Sequence, residues 1–144
     1  MFEVMAVGLF RRILAFLAGG LCYMGLEFLW RGWSHEAMFL AGGTCFLLLG
    51  KLEKTRPRLP LLPRALMGAL VITMVELLVG LIANQDYRIW DYRDLPGNFH
   101  GQICLPFFLL WMPLSLGAMW LYSTIRNIAR RIYCRGHKDK WPSA

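Results

Sequence analysis

The segment of residues 90–105 reads Trp90-Asp-Tyr-Arg-Asp-Leu-Pro-Gly-Asn-Phe-His-Gly-Gln-Ile-Cys-Leu105, and long apolar segments flank it on both sides. Within it, Leu95-Pro96-Gly97-Asn98 predicts a turn, because proline fixes φ and glycine and asparagine tolerate positive φ. Asn98 would then cap a helix that begins near Phe99. We interpret the segment as an interfacial or re-entrant stretch before the last membrane helix, with an ordinary extracytoplasmic loop carrying an aromatic anchor as the alternative.

The composition is typical of an integral membrane protein. Of the 144 residues, 57% are hydrophobic, and the mean hydropathy is +0.44. A soluble domain of this size carries less apolar sequence, so we predict one membrane domain over residues 1–144. The net charge of +7 would favour nucleic acid as the partner of a soluble protein. Its distribution indicates membrane orientation instead, so no nucleic-acid partner is predicted.

The spacing of cysteine and histidine predicts no metal site, and no motif predicts a cofactor. The four cysteines lie far apart, without a CxxC pair. The sequence also contains no nucleotide-binding loop of the Gly-x-x-x-x-Gly-Lys type.

Four apolar runs predict an all-α, polytopic membrane fold with four transmembrane helices. The second run is short for a span, and Gly42-Gly43 within it would allow close helix contact. Pro113 lies inside the fourth run and is expected to kink that helix. The predicted helices occupy about residues 13–30, 37–52, 65–83 and 103–125, and a basic cytoplasmic tail follows at 126–144.

The distribution of lysine and arginine predicts the orientation. Two basic residues precede the first span, five lie in residues 51–64 and six lie in residues 126–144. The remaining three are Arg31, Arg88 and Arg93, all on the opposite side. The positive-inside rule therefore places both termini in the cytoplasm and residues 90–105 outside. We expect the bacterial plasma membrane as the location.

Two carboxylates, Glu27 and Glu76, fall inside predicted spans. A charge at the centre of a span costs about 2.5–3.5 kcal/mol on insertion scales, so it normally faces the bundle or water. Both lie in the half of the bilayer that contains residues 90–105, which suggests a polar pocket for a substrate or ion. The alternative is structural: Glu27 pairs with Arg31 at i,i+4, and Glu76 is protonated and hydrogen-bonded within the bundle.

Several motifs resemble those of a known family. They are Gly25-Leu-Glu27-Phe and Arg31-Gly32, Glu76-Leu-Leu-Val-Gly80, and Trp90-Asp91-Tyr92 with Leu95-Pro96, Asn98 and Gly101-Gln102-Ile103-Cys104-Leu105. On these residues the sequence resembles the small membrane proteins described as "putative ABC-transporter type IV", or CmpB-like, a group that extends to eukaryotic proteins. The resemblance covers about residues 20–125. It departs at Leu40-Ala-Gly-Gly-Thr44, where the family often has a Tyr-Gly-Pro type segment.

The resemblance implies a permease-like transport component. Its site is expected in the half of the membrane that contains Glu27, Glu76 and residues 90–105. Four short helices enclose little space, so we expect a homo-oligomer or a separate membrane or ATPase partner, with membrane lipid around it. The alternatives are a membrane-embedded enzyme acting on a lipid or lipid-linked substrate, and a structural or regulatory subunit. The candidate substrate or ion site comprises Glu27, Arg31, Glu76, Trp90, Asp91, Tyr92, Asn98, Gly101 and Gln102.

Overall fold

The computed structural model describes the backbone of residues 2–138 and the side chains of residues 8–129 and of Arg131. Over this part of the chain the fold is all-α, as predicted, with one isolated β-bridge. Three segments are long and apolar enough to cross a membrane: Gly8–Arg31, Leu61–Ala83 and Leu105–Ala129. The helices are α1 (Phe2–Arg31), α2 (Glu36–Thr55), α3 (Leu61–Ala83) and α4 (Leu105–Lys138).

The first and last helices extend beyond the apolar runs that predict them. α1 begins at Phe2 rather than near residue 13, and α4 continues past residue 125 to Lys138. No proline interrupts either extension, so a helix that has already formed propagates into the polar sequence. Residues 139–144 of the predicted tail lie outside the described residues.

Prolines and a histidine set the ends of the two middle helices. His35 caps α2, because its Nδ1 accepts a hydrogen bond from the Ala37 N–H at 3.1 Å. Pro57 follows the last turn of α2, where it disfavours helical backbone in the residue before it. α3 starts at Leu61 and carries Pro63 in its first turn, where a missing N–H costs no intrahelical bond.

α2 is the central helix, since it contacts all three of the others. Its glycine-rich face allows a close approach to α1, as predicted from Gly42-Gly43. A β-carbon at Gly42 would overlap the Tyr23 side chain, and one at Gly19 of α1 would overlap Phe46. α4 packs on α3 and on α2, so α1 and α4 flank α2 and α3 without forming a continuous interface of their own.

The loop of residues 84–104 covers one end of the helices. Its apolar side chains Ile89, Trp90 and Tyr92 are buried with Ala37 and Met38 at the start of α2. The Arg31 guanidinium, at the end of α1, donates through Nη1 to the Ile89 carbonyl. The α1–α2 connection and the 84–104 loop therefore lie at the same end of the bundle, which we call the loop end.

The predicted turn at residues 95–98 is confirmed, with Gly97 at a φ of 65°. The predicted helix start near Phe99 is wrong, because α4 begins at Leu105. His100 and Gly101 have positive φ values of 51° and 61°, and a right-handed helix cannot pass through left-handed residues. Phe99 instead pairs with Ile103 in the isolated bridge.

Asn98 therefore does not cap α4. Its Nδ2 donates to the carbonyls of Arg93 and Leu95, each at 3.0 Å. The side chain closes the turn from within, as asparagine commonly does in loops.

Candidate functional site

The carboxylate of Glu76 lies at the centre of the candidate site and is buried, with 6% of the residue exposed. Its Oε1 accepts a hydrogen bond from the Tyr92 hydroxyl at 2.9 Å. Its Oε2 accepts one from Trp111 Nε1–H, also at 2.9 Å. Each oxygen thus has one donor, and the donors come from two different elements, the 84–104 loop and α4. Hydrogen bonding within the bundle, which the structural alternative requires, is present for Glu76.

Tyr92 is a fixed donor in this arrangement. Burial raises the pKa of its hydroxyl, and the adjacent Glu76 carboxylate raises it further. Its ring stacks on that of Phe107, with centroids 4.6 Å apart and planes 17° from parallel. The loop is therefore joined to α4 by an aromatic stack and to α3 by a hydrogen bond.

A small cavity of about 10 Å³ lies beside the carboxylate, close to the minimum volume for one water molecule. Tyr23, Cys45 and Trp90 contribute to its walls. The Tyr23 ring lies 6.4 Å from the Trp111 ring between centroids. α1 and α4 therefore approach each other at Trp111, the α4 residue that donates a hydrogen bond to Glu76.

An amide network anchors the loop to the end of α3. Asn84, which is fully buried, donates through Nδ2 to the Trp90 carbonyl at 2.6 Å and to Gln102 Oε1 at 3.0 Å. Its Oδ1 accepts from the Ile89 N–H at 2.8 Å. Gln102 Nε2 returns a bond to the Asn84 carbonyl at 2.9 Å. We call Asn84, Trp90 and Gln102 the amide network.

Gln102 occupies the space that Gly80 leaves on α3. A β-carbon at Gly80 would overlap Gln102 Oε1. The Gln102 carbonyl also accepts from Trp90 Nε1–H at 2.9 Å. Packing therefore requires glycine at position 80, because any larger residue there would displace the amide network.

Glu27 and Arg31 form the predicted i,i+4 ion pair, with 2.7 Å between Oε1 and Nη2. Ser34 donates its hydroxyl to the other oxygen of Glu27. Because Arg31 also binds the Ile89 carbonyl, the pair joins α1 to the 84–104 loop. Among the described residues, the pair forms no hydrogen bond with Glu76, and its bond to the loop is made at the Ile89 backbone.

Other predicted site residues lie on the outside of the loop. Asp91 is exposed, and the hydrogen bonds from the side chain and backbone N–H of Arg93 hold its pKa below the ordinary value. Asn98 is exposed as well. Gly101 is buried, and its carbonyl accepts from the Tyr92 N–H at 3.0 Å. The structure thus gathers Glu76, Trp90, Tyr92, Gly101 and Gln102, whereas Asp91 and Asn98 are not part of that cluster.

Three further residues lie beside this cluster: Tyr23, Asn84 and Trp111. Helical spacing already places Tyr23 on the face of Glu27 and Asn84 on the face of Glu76, whereas Trp111 was not predicted. A tryptophan inside a predicted span was the available signal for Trp111, because a buried indole N–H needs an acceptor. Glu76 was the available acceptor inside a span. Within the described residues, no group of three or more metal-ligating side chains comes together.

Three apolar helices long enough to cross a membrane, one of which carries a buried carboxylate, are typical of a small helical membrane protein. The family model described as "putative ABC-transporter type IV" matches residues 3–135, so the chain belongs to that family. Comparisons with curated proteins and with solved structures found no match.

Proposed function

We propose that the protein is a permease-like transport component that crosses a bacterial plasma membrane four times as one domain. In this arrangement both termini and residues 56–60 are cytoplasmic, and the 84–104 loop lies outside, as an interfacial or re-entrant stretch. Thirteen of the sixteen basic residues then lie toward the cytoplasmic side: two before the first span, five in residues 51–64 and six in residues 126–144. The family's description as a transporter supports the transport role.

The central position of α2 supports a fourth span. Its 20 residues extend about 30 Å at 1.5 Å per residue, the thickness of the hydrocarbon core. It is less apolar than the other three because four charged residues lie near its two ends. Its inward face is rich in small residues such as Gly42, Gly43 and Gly50. Small residues are typical of helix interfaces inside membranes.

Labelling of single cysteines tests the topology. In intact cells, a membrane-impermeant thiol reagent should modify Asp94→Cys in the loop and leave Arg56→Cys unmodified until the cells are opened. Modification of position 56 with protection of position 94 in intact cells would reverse the orientation.

We assign Glu76 as the polar group that receives the transported substrate or ion. The supporting observation is that its two donors belong to two different elements and that a cavity adjoins them. A cationic or hydrogen-bond-donating group could replace the Tyr92 hydroxyl if the loop moved away from α3. A carboxylate inside a span is costly unless it faces a partner or a functional cavity.

Transport by this chain requires further subunits. The sequence carries no nucleotide-binding loop, so ATP-driven transport would need a separate ATPase. The cavity at Glu76 is small, and a complete pathway would need a second copy or another membrane subunit.

Glu76→Gln tests this role because the substitution preserves the hydrogen bonds. The Gln oxygen can accept from Trp111, and its NH₂ group can donate to the Tyr92 oxygen. We therefore expect an unchanged detergent melting temperature together with failure to complement a deletion strain. The matched control is Glu53→Gln, which neutralises a half-buried carboxylate at the opposite end of the bundle and should complement.

Two results would contradict the assignment. Full complementation by Glu76→Gln with normal melting would favour a structural or regulatory subunit. Loss of function in proportion to a lowered melting temperature would do the same, because it would show that Glu76 acts through stability.

The enzyme alternative finds less support in the geometry. By residue type and position, its acid and base candidates are Glu76, Asp91 and His100. Glu76 is covered by Tyr92, Asp91 is held by Arg93 at the surface, and His100 is exposed. No hydrogen bond among the described residues connects any two of the three, so the fold favours the transport proposal.

A further inference from the structure

A wide apolar groove of about 980 Å³ opens on the side of the bundle between α1 and α4. Its floor is formed by α2 and by Ile72 of α3. We propose that this groove holds one acyl chain of a glycerophospholipid from the leaflet that faces the 84–104 loop. The proposal goes beyond the transport role and does not depend on the function of Glu76.

The length of the groove indicates its occupant. On α1 it runs from Gly19 to Leu29, and on α4 from Leu110 to Leu121. At 1.5 Å per residue these stretches are about 15 Å long, half of a hydrocarbon core of about 30 Å. Both begin near the loop end and stop close to the middle of their helices. The groove thus matches the depth of one leaflet, as the acyl chain of a lipid in that leaflet requires.

Small residues make the groove a recess rather than a flat helix surface. Gly25 of α1 and Gly117 of α4 both line it, and a β-carbon at either would have no described atom within 4 Å. Other glycines of α1, such as Gly19, are filled by side chains of α2. Gly25 and Gly117 therefore leave open space that the described chain does not use, and a flexible hydrocarbon chain fits such space.

Tyr23 separates the groove from the site at Glu76. Its side chain is part of the wall of both the groove and the small cavity, and its ring faces that of Trp111. An acyl chain in the groove would lie against one side of Tyr23, with the cavity at Glu76 on the other. Bound lipid would therefore hold the wall of the site in place.

The experiment uses the full chain in vesicles of phosphatidylethanolamine and phosphatidylglycerol. These vesicles contain a trace of phosphatidylcholine with a diazirine near the end of one acyl chain. After illumination, peptide mass spectrometry locates the attached lipid. We expect attachment at the deep end of the groove, near Gly19 and Leu121.

Gly25→Leu and Gly117→Leu fill the groove without disturbing its walls, because open space surrounds both positions. Each leucine occupies space that the acyl chain would fill, and the chain loses its packing contacts there. We therefore expect each variant to lower attachment at the groove, and the double variant to lower it most. The matched control is Gly8→Leu, which also enters open space on α1 but lies outside the groove. It should label like the original protein.

Two outcomes would overturn the proposal. Equal labelling of the groove in the original protein and in the Gly25→Leu/Gly117→Leu double variant would show that lipid contacts it only as bulk solvent. A disulfide-linked dimer that disappears with Cys22→Ala would also overturn it, because Cys22 is exposed in the groove. In that case a second copy of the chain would occupy the site.

Discussion

The buried polar groups at the two ends of the helix bundle differ in their hydrogen bonding. At the loop end, Glu76 accepts two hydrogen bonds of 2.9 Å, and both heteroatoms of the Asn84 amide are bonded. At the opposite end, Glu53 lies 3.5 Å from Arg64 and 3.5 Å from the Ser123 hydroxyl. Three buried side-chain atoms at this end, Glu53 Oε2 and the Nε atoms of Arg64 and Arg126, have no hydrogen bond among the described residues, against one at the loop end, Arg31 Nε.

The difference follows from the kind of contact at each end: short hydrogen bonds at the loop end and an ion pair at the opposite end. Hydrogen bonds act over short distances and fix one arrangement of their partners. The contact between Glu53 and Arg64 is 3.5 Å long, and the two side chains are 15% and 25% exposed. A contact of this length constrains the arrangement of its partners less than a short hydrogen bond does. The loop end is therefore held by shorter hydrogen bonds than the opposite end, which carries an excess of basic residues.

Removal of Asn84 should have the largest effect on this contrast. Asn84→Ala would remove the side-chain partner of three buried groups: the Ile89 N–H, the Trp90 carbonyl and Gln102 Oε1. A buried group that loses its partner costs about 1–3 kcal/mol, so we expect the free energy of unfolding to fall by about 3 kcal/mol. Denaturant titration in mixed micelles measures it.

The matched control is Asn127→Ala, at an exposed position of α4, which should change the free energy of unfolding by less than about 0.5 kcal/mol. Equal effects of the two substitutions would mean that the amide network does not secure the loop. The loop end would then be no better organised than the opposite end.

The helices were predictable because their signal is local. Four apolar runs, the second of them short for a span, predicted four helices in the right order, although α3 begins at Leu61 rather than near residue 65. The extensions of α1 and α4 were not predicted, since hydropathy marks where a helix enters the membrane rather than where its backbone bonding stops. Pro113 lies inside α4 as predicted, and its kink stays a prediction.

The site was predicted less completely, because its contacts join distant parts of the chain. The i,i+4 spacing was enough to predict the pair of Glu27 and Arg31. Nothing local indicates that Trp111 donates to Glu76, 35 positions earlier. Asn98 was read as a helix cap from its neighbours, and the left-handed backbone at His100 could not be foreseen from them.

Neutralising Glu53 should have the smallest effect and would sharpen the contrast between the ends. In Glu53→Gln the side chain keeps an oxygen for the Ser123 hydroxyl and loses only a charge contact of 3.5 Å with Arg64. The lost attraction is offset by the lower desolvation cost of a neutral amide. We expect the free energy of unfolding to change by less than about 0.5 kcal/mol.

A double-mutant cycle of Glu53→Gln with Arg64→Gln isolates the pair from the two bonds that Arg64 makes to the Pro57 and Leu59 carbonyls. Those bonds are lost in both variants that lack Arg64, so their contribution cancels in the coupling energy. The coupling should be below about 1 kcal/mol, as for other partly exposed ion pairs. A coupling above about 2 kcal/mol would show that this end is organised by a specific buried pair, and the distinction between the two ends would fail.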